Sequence, residues 1–176
     1  IPLFDVVTPS VEYSINITKS KKVGVVGTFS TIQSNAYTKM FKKLGSNCKI
    51  YEIPCPLFVP IIEEGWSDST VAKDITEIYL RDFINSNIDT LILGCTHYPI
   101  MANTIQSVLS NNIQLVYSGE TVGHKLLEFL LNNNCETSSG SPSVKFFVSD
   151  FPQKFDELGS GFLGRKLHDV QHISLL

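Results

Sequence analysis

Long hydrophobic runs are missing from this 176-residue chain: its longest apolar stretches are strand-sized, which excludes a membrane-spanning helix. Residues 1–20 lack the basic start, extended apolar stretch and small-residue cleavage site of a secretory signal. An excess of basic charge is missing too. The net charge of −3 and a pI near 5.8 argue against nucleic acid or an anionic membrane as partner. The one basic cluster, Lys19, Lys21 and Lys22, is too short to change that. The four cysteines, Cys48, Cys55, Cys95 and Cys135, form no CxxC or CxH ladder. Their wide spacing predicts neither a disulfide framework nor a metal site and fits a reducing, cytoplasmic setting.

The composition itself is that of a globular protein, with 43% hydrophobic and 18% charged residues. The length suits one full domain with material left over, and buries roughly 70% of the unfolded surface without staples. The chain starts Ile1-Pro2-Leu3-Phe4-Asp5, without a methionine and inside an apparent strand, so it is expected to be part of a longer protein.

The organising stretch is Leu91-Ile92-Leu93-Gly94-Cys95-Thr96-His97-Tyr98-Pro99. Three consecutive apolar residues suit a parallel strand covered on both faces. Gly94 permits a tight turn or the close approach of a ligand. Pro99 suits the first turn of a following helix, whose exposed N–H groups favour a thiolate or a carboxylate. Open α/β sheets bind ligands at this carboxyl end of their strands.

Strands alternate with helices along the rest of the chain. Strands are predicted over 1–7, 23–26, 47–53, 89–95, 113–116, 144–149 and 170–175. Helices are predicted over 9–18, from a Ser30 or Thr31 cap to Leu44, from a Ser67 or Asp68 cap to 85–87, and over 99–110, 121–131 and 152–162. Ala36, Met40 and Leu44 would share one helix face, and Val71, Ile75, Ile78, Tyr79 and Phe83 another. Residues 55–60 read as an apolar loop, and 132–143 as a polar linker. The pattern implies an α/β fold with a mostly parallel sheet flanked by helices.

Cys95 with His97 is the sharpest chemical constellation. A thiol acts as acid, base or nucleophile when a helix start or a cation lowers its pKa. A lone cysteine most often simply packs. Its place after an apolar strand and a glycine, two residues before a histidine, favours function. Glu63 or Glu64 can accept a hydrogen bond from His97 and fix its tautomer. Thr28 and Thr31 can bind a carboxylate or cap a helix, and the two roles are compatible. Cys48, Cys55 and Cys135 read as core or surface thiols, and His124, His168 and His172 receive no role.

The block Leu93-Gly94-Cys95-Thr96-His97-Tyr98-Pro99 resembles the glutamate racemases of the aspartate/glutamate racemase family. Gly24-Val25-Val26-Gly27-Thr28 with Thr31, Ile32 and Ser34 agrees, as does Cys55-Pro56-Leu57-Phe58-Val59-Pro60 with Glu63 and Gly65. Phe146-Phe147-Val148-Ser149-Asp150 with Phe155 and Phe162-Leu163-Gly164 is similar to the family's closing segment. The resemblance implies a flavodoxin-like racemase fold of two similar domains. Residues 1–8 would end the first domain, 9–116 form the second, and 117–176 return to complete the first. It implies cofactor-independent interconversion of L- and D-glutamate for peptidoglycan synthesis, with glutamate as the small-molecule partner; it admits a homodimer. Cys95 would be the base acting on L-glutamate, Thr96 would hold substrate, His97 would assist the thiol and hold substrate, and Glu63 would support His97. Thr28 and Thr31 would line the substrate pocket.

The family's first cysteine, in a Cys-Asn-Thr block, is expected shortly before Ile1, and an Asp-Ser motif further upstream. On that expectation the 176 residues alone are inactive, because racemisation needs groups on both faces of Cα. Tyr117 departs from the family's usual aspartate before the serine. Two other readings stand beside this one: a racemase for another acidic amino acid such as aspartate, and a catalytically dead module binding a carboxylate or a partner. A flavodoxin-like nucleotide site is disfavoured, since Gly27-Thr28-Phe29-Ser30-Thr31 lacks a phosphate-loop pattern.

Overall fold

A computed structural model describes residues 1–84, 86–135 and 143–174. The chain divides after Cys135 into two units. The first holds a four-stranded parallel sheet in the order β2-β1-β3-β4, formed by β1 (Lys22–Gly27), β2 (Lys49–Pro54), β3 (Thr90–Leu93) and β4 (Gln114–Tyr117). Val23, Val26 and Leu93 set the register, with Val23 opposite Thr90 and Val26 opposite Leu93. Side chains alternate across this sheet. Leu91 and Leu93 enter a core with Phe58, Leu80, Phe83, Met101 and Ile105. Ile92 points the other way, with Val23, Val25, Tyr37 and Phe41. All four β3 residues are buried, as a strand covered on both faces requires.

The helices flank the sheet, and several differ from their predicted form. Residues 1–6 form no strand. Asp5 Oδ1 instead accepts the N–H groups of Val7 and Thr8 at 2.9 and 2.7 Å and starts α1 (Val7–Ile17). The helix predicted to end at Leu44 is two helices, α2 (Phe29–Gln33) and α3 (Ala36–Lys43), broken at Asn35 with φ +53°. Thr28, not Ser30 or Thr31, caps α2. Tyr37 and Phe41 form the inner face of α3, and Leu44 is exposed.

The predicted loop at 55–60 leads into α4 (Phe58–Glu63), because Pro60 lies in the first turn, where its missing N–H costs nothing. Ser69 Oγ accepts the Ala72 N–H at 3.1 Å near the start of α5 (Thr70–Ile84), so neither Ser67 nor Asp68 supplies that cap. The inner stripe of α5 is Ala72, Thr76, Leu80 and Phe83. Val71 and Ile78, placed inward by their hydrophobicity, are 49% and 58% exposed. Small Ala72 and self-satisfied Thr76, whose hydroxyl donates to the Ala72 carbonyl at 2.7 Å, let the helix approach the core there. Part of its predicted end, Asn85, lies outside the described residues.

After β3 a 3-10 turn (Tyr98–Met101) carrying Pro99 leads into α6 (Ala102–Val108). Finally, α7 (Ser118–Asn132) packs against α1.

The second unit is a small β-α-β element. Strands β5 (Phe146–Val148) and β6 (Val170–His172) pair in parallel through α8 (Pro152–Leu163). Val148 is buried; Phe147 is exposed, and Phe146 lies against Phe155 with ring centres 6.2 Å apart. Most of the predicted 132–143 linker and Leu175 lie outside the described residues. No described helix is long and apolar enough to cross a membrane.

Candidate active site

The end of β3 is built by close approach. The Gly94 N–H donates to the Val26 carbonyl at 2.7 Å, one step beyond the regular ladder. A Cβ at Gly94 would lie 2.9 Å from that oxygen and 3.0 Å from Cε2 of Tyr37. Glycine is thus required by a neighbouring strand and a ring, and not by a positive φ. The chain then turns, leaving Cys95 half-buried and Thr96 exposed.

Cys95 Sγ lies 3.9 Å from Nδ1 of His97. On the far side of the imidazole, Nε2 is 3.5 Å from Oε1 of Glu63, at the end of α4. A carboxylate there favours the proton on Nε2 and leaves Nδ1 as an acceptor facing the thiol. The geometry selects Glu63; Glu64 is exposed. Burial pushes the Cys95 thiol above its ordinary pKa, against the opposing pull of the His97 and Tyr98 backbone N–H groups. The resting thiol is therefore protonated near neutral pH, and ionising it requires an acceptor such as His97.

Thr28 and Thr31 sit at the carboxyl end of β1, the strand next to β3. Their hydroxyls are 3.0 Å apart, and Thr28 Oγ1 also accepts the Thr31 N–H at 3.4 Å. Capping is thus their observed role, and both remain half-buried beside the same sheet edge as Cys95. The other thiols stand apart. Cys55 is fully buried, with a pKa driven far up by burial. Cys48 precedes β2 at the opposite sheet edge, and Cys135 lies beyond α7. Among the described residues no group of three or more His, Cys, Asp or Glu side chains is placed to hold a metal.

Three residues behind the turn hold it in ways the sequence did not show. Tyr98 is buried and donates to the Cys55 carbonyl at 2.8 Å, while the Cys55 N–H reaches the Gly27 carbonyl at 2.8 Å. This ties the 95–98 turn to the loop before α4. Ser118 Oγ donates to the Leu93 carbonyl at 3.1 Å and lies 3.5 Å from the Tyr37 hydroxyl, 81 residues away in sequence. Only folding brings these groups together.

The chain is similar to several known racemases. A glutamate racemase of Geobacter metallireducens is 38% identical over 176 residues, covering 99% of this chain and 65% of the relative. One from a Sulfurihydrogenibium species is 42% identical over 164 residues, covering 93% and 61%. The chain therefore spans a little under two thirds of these relatives. Among solved structures, a glutamate racemase isoform of Bacillus anthracis superposes with a TM-score of 0.92 at 30% identity, over 99% of this chain and 65% of that one. The Francisella tularensis glutamate racemase, solved with D-glutamate, gives 0.89 at 35% identity, over 99% and 64%. The model of the Asp/Glu/Hydantoin racemase family matches residues 1–122, and the chain belongs to that family.

Proposed function

We propose that this chain carries one catalytic face of a cofactor-independent glutamate racemase, and that Cys95 transfers the proton at Cα on that face. The observation that carries this reading is the Cys95–His97–Glu63 line at the carboxyl edge of the parallel sheet. Proton transfer from the thiol to His97, supported by Glu63, gives a thiolate. The thiolate takes the α-proton: the Cα–H bond breaks, the S–H bond forms, and the electron pair stays on Cα as a carbanion. A second acid then delivers a proton to the opposite face, inverting the centre. Cys48, Cys55 and Cys135 are not placed to do this. On this reading the opposing group comes from the part of the relatives' fold that this chain does not span. Thr28, Thr31 and Thr96 hold the substrate's carboxylates and ammonium, and precise placement supplies much of the rate.

In this reading residues 9–116 make the racemase's second domain and 117–176 return to the first. The product, D-glutamate, serves peptidoglycan synthesis in the cytoplasm, where four unpaired thiols are at home. The test is racemisation by the full-length protein, followed by circular dichroism and by α-proton exchange in deuterated water. Cys95→Ala is expected to lower the rate on glutamate by about 10²–10⁴-fold. An unaltered rate in that variant refutes the assignment, and faster exchange on aspartate than on glutamate moves the substrate to aspartate.

A further inference from the structure

Glycine is the most permissive residue in a chain, and here it immediately precedes the reactive thiol. Without external support, Gly94 would let Cys95 swing. The Leu93–Gly94 peptide is in fact held at both ends. Its N–H donates to the Val26 carbonyl at 2.7 Å, and its carbonyl accepts from Ser118 Oγ at 3.1 Å. Ser118 has a single hydroxyl proton, spent on Leu93, so the Tyr37 hydroxyl is the donor in its 3.5 Å contact with Ser118 Oγ. The Tyr37 ring also covers Gly94: a Cβ there would meet Cε2 at 3.0 Å and the hydroxyl oxygen at 3.3 Å. Tyr37 is 2% exposed and Ser118 7% exposed, so neither reaches a substrate. They come from α3 and from the first residue of α7, which leaves the turn pinned from three separate elements.

We propose that Tyr37 and Ser118 are positioning residues for Cys95, clamping the Leu93–Gly94 peptide so that the thiol stands at the proton-transfer position beside His97 Nδ1. This rests on Cys95 being the proton-transfer thiol. The titratable groups around that thiol are His97, backed by Glu63 of α4, together with Tyr98 and Tyr37. The clamp touches none of the charged ones, so its loss acts through geometry.

The test uses the full-length protein with Tyr37→Phe, Ser118→Ala and Ser118→Thr. Two quantities are read: kcat and KM for glutamate, and the pH midpoint of Cys95 alkylation by iodoacetamide, followed by mass spectrometry of the Cys95 peptide. Tyr37→Phe and Ser118→Ala are expected to lower kcat about tenfold, with KM little changed. Both are expected to shift the alkylation midpoint as Cys95 moves relative to His97 Nδ1, and Ser118→Thr to restore both quantities. Folded variants with wild-type kcat and midpoint overturn the proposal, as does a fall in thermal stability alone or a failure of Ser118→Thr to restore function. If Ser118→Ala does not fold, Tyr37→Phe, which keeps the ring, decides. If the full-length protein racemises nothing, the midpoint alone decides the clamp; a shift then supports it while the racemase reading falls.

Discussion

Replacing Gly94 by alanine perturbs the site through one methyl group. The new Cβ would lie 2.9 Å from the Val26 carbonyl oxygen, against about 3.4 Å for ordinary contact, so the chain must open by about 0.5 Å. Neither neighbour gives easily. Val26 lies inside β1 and its oxygen already accepts the Gly94 N–H at 2.7 Å; Tyr37 is fully packed. Overpacking of this kind costs about 1–3 kcal/mol, and weakening the sheet hydrogen bond adds about 1 kcal/mol. The sum, roughly 2–4 kcal/mol, is a large part of a typical 5–15 kcal/mol stability. The urea midpoint, followed by circular dichroism, is expected to fall accordingly. The same displacement carries Cys95. Since a misplacement of about 1 Å costs up to about 10²-fold in rate, 0.5 Å predicts about a tenfold lower kcat in the full-length protein. A Gly94→Ala protein with a wild-type urea midpoint and kcat would refute the close packing on which the site is built.

Gly123 is the opposite case. It lies inside α7, and a Cβ added there would meet nothing within 4 Å, so Gly123→Ala is expected to raise stability by about 0.5–1 kcal/mol, and a lowered urea midpoint would contradict it. Asp89 ties the loop before β1 to β3: burial works to raise its pKa, but hydrogen bonds from Thr18, Ser20, Lys19 and Thr90 prevail and hold it at about 2. A folded pKa below the unfolded value of 3.8 gives stability that is present above pH 4 and lost as pH falls towards 2. After allowance for solvent screening this is about 1 kcal/mol, and Asp89→Asn should remove that part of the acid sensitivity; an identical urea-midpoint profile between pH 5 and 2.5 would refute it. Cys55 should stay silent to a thiol reagent at pH 8 until the protein unfolds, while exposed Cys135 reacts at once; rapid native reaction at Cys55 would contradict its burial.

The sequence made the sheet legible where burial on both faces forces a continuous apolar run. Leu91, Ile92 and Leu93 are such a run, and the structure sends them alternately into two cores. It misled where size or capping outweighed hydrophobicity. On α5 the inner positions went to Ala72 and Thr76, because a helix lying close to a sheet needs small residues, while Val71 and Ile78 face outward. At the start of the chain, Asp5 captured two N–H groups and began a helix where Ile1 and Leu3 suggested a strand. Pro56 and Pro60 marked a loop, yet Pro60 fits the first turn of α4 without loss.

Cys95 and His97 were legible because they are neighbours in one local motif. Residue chemistry alone left Glu63 and Glu64 both open; the resemblance pointed to Glu63, and that is the carboxylate found beside His97. The Tyr37–Ser118 pair had no signal at all: two common polar residues, 81 apart, acquire a role only through the register of β1, β3 and β4. That register also connects packing to chemistry. Side chains alternate along β3, so a slip of one residue would turn Ile92 towards α5 and Leu93 away from its core. The same slip would take the Gly94 N–H off Val26 and the Leu93 carbonyl off Ser118. The arrangement that buries the apolar residues is therefore the one that aims the thiol, and core substitutions that loosen the β1–β3 register should cost activity before they cost the fold.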